Sequence, residues 1–509
     1  MTDRILAHRR PASSGSAPAA GTDLDAATRT ARVLVALGLV AIAIAVFFKY
    51  PLTGRSLDVQ LGQYAIVICA AFGVATSMRA GRPRYASLVF WLFTYCVLGI
   101  VQSVQLGARL NPFGVDVTDE DVVTQQLIIL AGCGAFAVAS NAAIRWRPSD
   151  RRPLARAAGG PDERGREVVL RRTVWCSVGV LLACVYFYEA LGGVGALLGS
   201  RQAVGERLVG TGHEQGAWAT LIAGLANAGP LVCLLALVHL RARRIFTFRD
   251  RPDLAALAGL LLLANLIFNN PISQPRYWVA TIVVAVAMSG PWARRIRFQA
   301  AFIAAFVLAA LIAFPFLDRF RYEGSSRWQY GVVDAYLSKT DYGSAQDITN
   351  AVTYVEDNGH TGGRQLLGAA LFAVPRSIWP GKPTDSNALL AEHIGFPNPN
   401  IDSPLWAEGY IDFGLPGTVV LLGLFGALTG RCDAAREGLG AARSISAVFV
   451  PIFVGYELIL LRGSLLQATA RIAAVTLFCL AVSEVVAKRR PQRAQRLAAS
   501  NPRRLAHRN

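Results

Sequence analysis

Residues 31–48 read ARVLVALGLVAIAIAVFF, with one charged side chain, Arg32, close to the beginning. An α-helix rises about 1.5 Å per residue, so roughly 17–25 apolar residues cross the hydrocarbon layer of a bilayer. Helix is required there because lipid cannot satisfy unpaired backbone N–H and C=O groups. The stretch therefore predicts a membrane-spanning helix.

Comparable apolar stretches recur along the 509-residue chain, which is 53% hydrophobic and only 17% charged. They predict an all-α polytopic membrane protein with about twelve transmembrane helices. The predicted spans are residues 31–48, 59–78, 85–106, 122–144, 173–191, 216–240, 253–269, 276–290, 298–317, 411–430, 444–462 and 465–487.

Basic residues alternate between the two sides that these spans define. Of the 51 Lys and Arg residues, 36 fall in loops and tails on one side. The excess of positive charge on cytoplasmic loops makes that side cytoplasmic, together with both chain ends. Contact with anionic lipid then explains the net charge of +18 better than nucleic acid does. We expect residues 1–30 to form a disordered cytoplasmic tail rather than a cleaved signal peptide, and residues 488–509 a basic cytoplasmic tail.

The use of arginine and cysteine indicates where the protein resides. Arginine outnumbers lysine 47 to 4, which suggests a GC-rich bacterial genome and hence the bacterial cytoplasmic membrane. Seven of the eight cysteines lie within predicted spans and Cys432 lies at a cytoplasmic edge. This distribution argues against a disulfide framework on the outside, and no Cys/His spacing predicts a zinc site.

The long hydrophilic segment 318–410 falls on the extracytoplasmic side, between spans 9 and 10. It is too long for a passive connector, so we expect it to cap one membrane domain formed by residues 31–487. Helical spacing occurs at 327–339 and at 345–356, and the glycine-rich stretch 359–363 interrupts it.

Several cations lie on this outer side, where topology disfavours positive charge. Arginine binds phosphate through a planar, bidentate and permanently charged fork, so such a group suggests an anionic ligand. Pairing with nearby acids or with lipid headgroups is the alternative for any single residue. The outer cations are Arg201, Arg207, Arg276, Arg319, Arg321, Arg327, Arg364, Arg376, Lys382 and Arg462.

Carboxylates on the same side are candidates for a general base. Glu408 lies just above a span between Trp406 and Tyr410, and aromatic rings beside a carboxylate occur in sugar sites and in interfacial belts alike. The string at 119–121, Asp-Glu-Asp, resembles a metal–diphosphate motif, although acids are also simply tolerated outside. His213, His360 and His393 face outwards without a partner pattern.

Two ionisable residues lie inside predicted spans. Glu457 and Arg471 lie five or six residues from the short turn that joins the last two spans. Their equal depth predicts that they pair with each other, and an ionisable residue in a membrane is otherwise a candidate functional residue.

Several common nucleotide and hydrolase motifs are missing from the sequence. Gly381-Lys382 is followed by Pro383 rather than by Ser or Thr, so no phosphate-binding loop forms there. The sequence contains neither His-Glu-x-x-His nor Gly-x-Ser-x-Gly. ATP-driven transport by this chain and common hydrolase chemistry are therefore disfavoured.

Four local patterns over roughly residues 190–465 resemble the oligosaccharide repeat unit polymerases of the O-antigen polymerase (Wzy) type. One is Gly192-Gly193 followed by Ser200-Arg201, and another is an arginine that opens a span, Arg276. The remaining two are Pro375-Arg376…Trp379-Pro380…Lys382-Pro383 and Ser403…Glu408-Gly409-Tyr410…Phe413-Gly414…Gly417.

The resemblance implies a glycosyltransferase with a GT-C-like helical fold and no cofactor. Its substrates are polyprenyl-diphosphate-linked oligosaccharides in the outer leaflet, and its partners include a chain-length regulator and a flippase. We expect basic residues to stabilise the diphosphate leaving group in place of a metal, and a carboxylate to deprotonate the acceptor hydroxyl. The expected diphosphate-binding residues are Arg201, Arg276, Arg319, Arg321, Arg376 and Lys382. The expected base is Glu408 or Asp402, and Trp379, Trp406 and Tyr410 are expected to contact sugar.

Two other functions use the same lipid-linked glycan. A flippase is the nearest transport alternative, because twelve spans with both ends inside is a common transporter plan. Transporters usually show two related halves with a site near the membrane midplane, whereas here the polar residues are concentrated in one outer segment. A ligase that transfers finished glycan to another acceptor is not distinguished from a polymerase by sequence.

Overall fold

A computed structural model describes residues 19–80, 82–146, 163–190, 217–271, 274–314, 332–399, 401–437 and 444–483. These residues form helices and connecting turns, with no β-strand among them. The helices are α1 (Ala19–Lys49), α2 (Leu57–Ser77), α3 (Tyr85–Ala108), α4 (Asp119–Arg145), α5 (Glu163–Ala190), α6 (Ala217–Ala242), α7 (Pro252–Phe268), α8 (Arg276–Met288), α9 (Ile296–Ala313), α10 (Val332–Ser338), α11 (Ser344–Asn358), α12 (Arg364–Ala370), α13 (Ser386–His393), α14 (Leu405–Glu437), α15 (Ser444–Arg462) and α16 (Leu465–Ala481).

The prediction of a helical polytopic membrane protein is confirmed. Within the described residues, eight helices are long and apolar enough to cross a membrane, namely α1 to α6, α9 and α14. Each predicted apolar stretch overlaps a helix. Helix α1 begins at Ala19, so residues 19–30 of the predicted disordered tail are helical.

The ends of the helices form two separate faces. At the first, called the basic face, the Tyr85 hydroxyl donates to Ala293 O over 2.7 Å and Arg79 N donates to Gln299 Oε1 over 3.0 Å. Arginines are dense along the segments that meet here, which include Arg79, Arg82, Arg84, Arg294, Arg295 and Arg297. At the second, called the capped face, Arg55 pairs with Asp119 over 2.9 Å.

Glycines bring two pairs of helices into backbone contact. A Cβ at Gly426 or Gly430 of α14 would lie 2.6 Å from Phe136 O or 2.3 Å from Ser140 O of α4. Small residues spaced four apart allow this close approach between membrane helices. In the same way, a Cβ at Gly455 of α15 would lie 2.6 Å from the Cα of Thr281 on α8. The pairs α4–α14 and α8–α15 are therefore tightly packed units.

Helix α3 runs through the centre of the protein and changes its winding halfway. Residues Thr94–Val101 form a π-helical segment whose side chains are almost all buried. Gln63 of α2 donates through Nε2 to Leu98 O and Gly99 O over 3.2 and 2.8 Å. A π-bulge disturbs the regular i→i−4 ladder, and the Gln63 amide supplies hydrogen bonds to the carbonyls at this point.

Four short helices, α10 to α13, cover the capped face. Helical segments predicted at 327–339 and 345–356 are observed at Val332–Ser338 and Ser344–Asn358. The predicted interruption at 359–363 contains three glycines with positive φ, Gly359, Gly362 and Gly363. Buried amides fasten this cap to the bundle, because Gln105 Nε2 donates to Tyr342 O over 3.0 Å and Gln125 Nε2 to Ala345 O over 2.8 Å.

Helix α14 begins at Leu405 rather than at the predicted residue 411. Its first turns end in a break where Phe413 and Gly414 leave helical geometry, and Gly414 has φ +66°. Residues 405–410 are therefore helix rather than the end of a loop. Asp412, beside the break, accepts hydrogen bonds from the backbone N–H groups of Gln365 and Leu366 over 3.1 and 2.7 Å, which caps the first turn of α12.

Candidate functional site

Arg462, one of the outer cations, and Asp402, a candidate base, meet at the capped face. Arg462 Nε donates to Asp402 Oδ2 over 2.8 Å, and its Nη2 donates to Asp341 Oδ1 over 2.7 Å. Arg276 Nη2 lies 3.9 Å from Asp341 Oδ2. We call Arg276, Asp341, Asp347, Asp402 and Arg462 the acid–arginine cluster.

The positions of helix ends explain why these residues converge. Arg462 is the last residue of α15 and Arg276 is the first of α8, so the tightly packed α8–α15 pair presents both arginines at one end. Ser403 N donates to Arg462 O over 3.1 Å, which holds the segment before α14 against the end of α15. The ring of Phe314 lies 4.9 Å from the Arg276 guanidinium and 5.9 Å from that of Arg462, a contact that favours cations.

Two carboxyls of the cluster are buried close to neutral polar groups. Asp402 Oδ2 also accepts from Ser344 Oγ over 2.6 Å. Burial raises the pKa of Asp402 to about 6 although Arg462 acts to lower it. Burial and the neighbouring charge of Asp402 raise the pKa of Asp347 well above its usual value. A carboxylate in such surroundings is a better base near neutral pH than an exposed one.

Asp347 was not singled out from the sequence. Its side chain is fully buried, and among the described residues its Oδ2 has no hydrogen-bond partner. The signal in the sequence was an acid on the buried side of the amphipathic helix α11, next to Ile348 and Ala351. A buried carboxyl oxygen without a partner is costly, which makes Asp347 a candidate functional residue.

Glu408, the preferred base in the sequence, holds two elements together instead. Its Oε1 accepts from the backbone N–H of Leu465 over 3.1 Å and its Oε2 accepts from Ser386 Oγ over 2.9 Å. Leu465 is the first residue of α16, so the carboxylate caps the positive end of that helix. Because Glu408 is only 1% exposed and both oxygens are engaged, its position favours a structural role.

The two predicted cations of the Pro-rich segment, Arg376 and Lys382, donate hydrogen bonds to backbone carbonyls of that same segment. Lys382 Nζ donates to Phe372 O and Val374 O over 2.7 and 3.0 Å, and burial lowers the pKa of this amine. Arg376 Nη1 donates to Lys382 O over 2.7 Å. Both side chains close the segment 372–383, called the hairpin, and neither forms an ion pair with the acid–arginine cluster among the described residues.

The residues directly after the hairpin contact α16 and Glu408. Asp385, just after it, accepts from Gln467 Nε2 of α16 over 2.8 Å. The next residue is Ser386, which donates to Glu408. The hairpin and the cluster thus flank the turn between α15 and α16. Three other predicted diphosphate-binding residues, Arg201, Arg319 and Arg321, lie outside the described residues.

The aromatic residues expected to contact sugar divide into two groups. Trp406 is completely buried, stacks on Phe90 at 5.5 Å and fills the space beside Gly132, where a Cβ would lie 2.4 Å from its Nε1. The Trp406 ring therefore packs the bundle and has no exposed surface with which to contact a sugar. Trp379 and Tyr410 are only partly buried.

The predicted ion pair between Glu457 and Arg471 is wrong. Arg471 Nη1 donates to Tyr277 Oη over 3.2 Å, and its guanidinium lies 4.9 Å from the Trp278 ring. Glu457 is fully buried and makes one long contact of 3.5 Å with Thr429 Oγ1. Equal depth fixes the position along the helix axis only, and the two side chains point in different directions around it.

The acidic string at 119–121 begins helix α4. Thr118 Oγ1 accepts from Asp121 N over 3.2 Å and Asp121 Oδ2 accepts from Thr118 N over 3.2 Å, which is a capping box. Asp119 pairs with Arg55. In the part of the chain that the structure describes, no group of three or more His, Cys, Asp or Glu side chains is arranged to bind a metal.

The outward histidines make local contacts or are not described. His393 Nε2 lies 3.7 Å from Asp357 Oδ2, and the ring of His360 lies 6.1 Å from that of Tyr410. His213 lies outside the described residues.

Comparison with protein-family models, with curated proteins and with solved structures finds no match to this chain. The apolar helices define a multi-pass helical membrane protein.

Proposed function

We propose that this protein is a membrane glycosyltransferase that polymerises polyprenyl-diphosphate-linked oligosaccharide repeat units at the acid–arginine cluster. The observation that supports the proposal is the 2.8 Å contact between Arg462 and Asp402, with Arg276 and Asp341 beside it. This places a carboxyl suited to proton transfer next to cations suited to a diphosphate, at one end of apolar helices.

The proposal includes a topology. Besides the eight long helices, the shorter apolar helices α7, α8 and α16 and helix α15 would complete twelve spans in a GT-C-like arrangement. The density of arginine on the basic face favours a cytoplasmic location for it. The capped face, with the cluster, then meets the outer leaflet, where lipid-linked glycans are available and nucleotide sugars are not.

The chemistry is a displacement at the anomeric carbon of the donor. Asp402 takes the proton from a hydroxyl of the acceptor sugar, whose oxygen forms a bond to the anomeric carbon. The bond from that carbon to the diphosphate oxygen breaks, and the electron pair leaves with the lipid diphosphate. Arg276, whose closest cluster carboxyl oxygen is 3.9 Å away, stabilises the charge that develops there, and Arg462 positions Asp402.

The direct test is to supply the purified protein in lipid nanodiscs with a lipid-linked repeat unit and to look for a ladder of longer products. We expect a ladder from the wild type and none from Asp402→Asn, with Glu408→Gln retaining it. Retention of the ladder in Asp402→Asn would contradict the role of that carboxyl. Product attached only to an unrelated acceptor would indicate a ligase.

A flippase for the same lipid-linked glycan is the second candidate. The observation that favours it is that Glu457 and Arg471 lie within apolar helices, and neither has an ionic partner among the described residues. Ionisable groups at membrane depth are common on transport pathways. Movement of the lipid-linked unit across sealed vesicles, without elongation, would support this function over the polymerase.

A further inference from the structure

A second polar site lies at the capped face, and no carboxyl of the acid–arginine cluster lines it. It is a cavity of about 310 Å³, the smallest volume typical of small-molecule sites. Most of its wall is polar. The lining residues that matter here are Arg55, Gln102, Gln105, Arg109, Asn111 and Gln346.

The cavity and the cluster share one segment of the chain. Gln105 of the cavity wall donates to Tyr342 O over 3.0 Å, and Tyr342 directly follows Asp341. Gln346 of the wall directly precedes Asp347. The segment 341–347 therefore contributes residues to both the cavity wall and the cluster.

Arg109, in the cavity wall, has a backbone conformation that arginine rarely adopts. It ends helix α3 in the left-handed conformation, with φ +54° and ψ +34°, where glycine is the usual residue because a Cβ is strained there. Its Nη2 donates to Gly54 O over 2.7 Å. A Cβ at Gly54 would lie 2.0 Å from that same nitrogen, so Gly54 leaves the space into which the guanidinium fits.

The hydrogen-bonding groups of the wall suit a ligand rich in hydroxyl groups. The Gln102 and Gln105 amide nitrogens are used within the protein, which leaves their carbonyl oxygens as acceptors. Arg55 is already paired with Asp119, and Arg109 forms no ion pair among the described residues. Hydroxyls donate to amide oxygens and accept from guanidinium groups, so a sugar satisfies both, whereas the ionised oxygens of a phosphate only accept.

From this arrangement we propose that the cavity binds one sugar residue, with Arg109 as a ligand-contacting residue. The proposal rests on the proposed function for the identity of that sugar, which would be part of a lipid-linked repeat unit. The neighbouring cluster would then act on a hydroxyl or an anomeric carbon next to the bound residue.

The test measures sugar binding directly, by saturation-transfer NMR on the full chain in detergent. The probes are the methyl glycosides of glucose, galactose, mannose, rhamnose and glucuronic acid, with inorganic phosphate as a competitor. We expect at least one glycoside to bind, and phosphate to leave it in place. In Arg109→Gly we expect its Kd to rise about tenfold or more, as for the loss of a hydrogen bond to a charged group.

The chain offers a matched control for Arg109→Gly. Arg244 also has a positive φ, +56°, is exposed, and lies two residues after α6 in a segment that does not line the cavity. Arg244→Gly removes the same charge and relieves the same backbone strain, so it should bind the glycoside like the wild type. Gln346→Leu is a second cavity variant and should also weaken binding.

The results separate this proposal from the polymerase proposal. Asp402→Asn should lose polymer while its glycoside affinity stays within about twofold of the wild type, because Asp402 does not line the cavity. Glycoside binding without any polymer would support the cavity assignment and contradict the polymerase proposal. Binding of no glycoside, equal binding by Arg109→Gly, or displacement by phosphate would overturn the cavity assignment.

Discussion

Arg462 and Asp402 form a hydrogen-bonded ion pair of 2.8 Å between the end of α15 and the segment that leads into α14. Removing one partner of a buried ion pair typically costs about 3–5 kcal/mol, because the other charge is left uncompensated. The Arg462 side chain is 23% exposed, so we expect Arg462→Gln to lower the free energy of unfolding by about 3 kcal/mol, the lower end of that range.

This prediction is checked by denaturation in detergent micelles. Asp402→Asn should cost less than Arg462→Gln, since Arg462 keeps its 2.7 Å bond to Asp341. An equal decrease in the free energy of unfolding of the two variants would contradict the arrangement of the cluster.

The raised pKa of Asp402 predicts how stability changes with pH. Burial raises this pKa from its ordinary value of 3.8 to about 6, so between these values the native state holds a proton that the unfolded chain has released. The resulting stabilisation is present below about pH 4 and is lost as the pH rises through about 6. The thermal unfolding midpoint of the wild type should therefore fall across this window, and that of Asp402→Asn should fall less.

The same group predicts the acid limb of the activity profile. If Asp402 is the base, kcat/KM should rise as the pH increases through about 6. The like charge of Asp341 contributes to raising this pKa. Asp341→Asn should therefore move the acid limb to lower pH, as measured by initial rates of chain elongation. An unchanged limb would argue against Asp402 as the titrating group.

Glu408 provides a test between catalytic and structural roles. Glu408→Gln keeps an oxygen for the Leu465 N–H and should retain both the fold and chain elongation. Glu408→Ala removes the acceptor for the partly buried Leu465 N–H, which costs about 1–3 kcal/mol, and should lower the unfolding midpoint. Loss of elongation in Glu408→Gln at an unchanged unfolding midpoint would restore Glu408 as a catalytic candidate.

The backbone contact between α4 and α14 predicts intolerance of larger side chains. Gly430→Val should lower the free energy of unfolding by about 1–3 kcal/mol or more, since a Cβ there meets backbone rather than a movable side chain. Gly423→Val on the same helix is the control, because a Cβ at that position would have no other atom within 4 Å. Similar unfolding curves for the two variants would contradict the close approach of α4 and α14.

The sequence predicted helices well because apolar length is a local property. It also predicted the break at 359–363, since Gly359, Gly362 and Gly363 adopt positive φ. The start of α14 was missed because residues 405–410 contain polar side chains that the cap buries. Burial by elements that are distant in the chain cannot be predicted from the local sequence.

The site was predictable only in part, because sequence gives depth along a helix but not direction around it. Arg276 and Asp402 were identified as candidates. Of the two residues that link them, Arg462 was one of many outer cations and Asp341 was not singled out. Glu457 and Arg471 share a depth yet do not pair. Arg109 was missed altogether, since its left-handed conformation follows from the turn between α3 and α4.

The glycine contacts have a consequence for movement between the helices. Asp402 is carried by the unit that contains α14, and Arg462 by the unit that contains α15, and each unit is joined to a neighbour by backbone contact. Any displacement of one unit against the other would therefore have to break both the bond between Arg462 and Asp402 and the bond from Ser403 N to Arg462 O. The ion pair thus joins two helix pairs that are each held together by backbone contact.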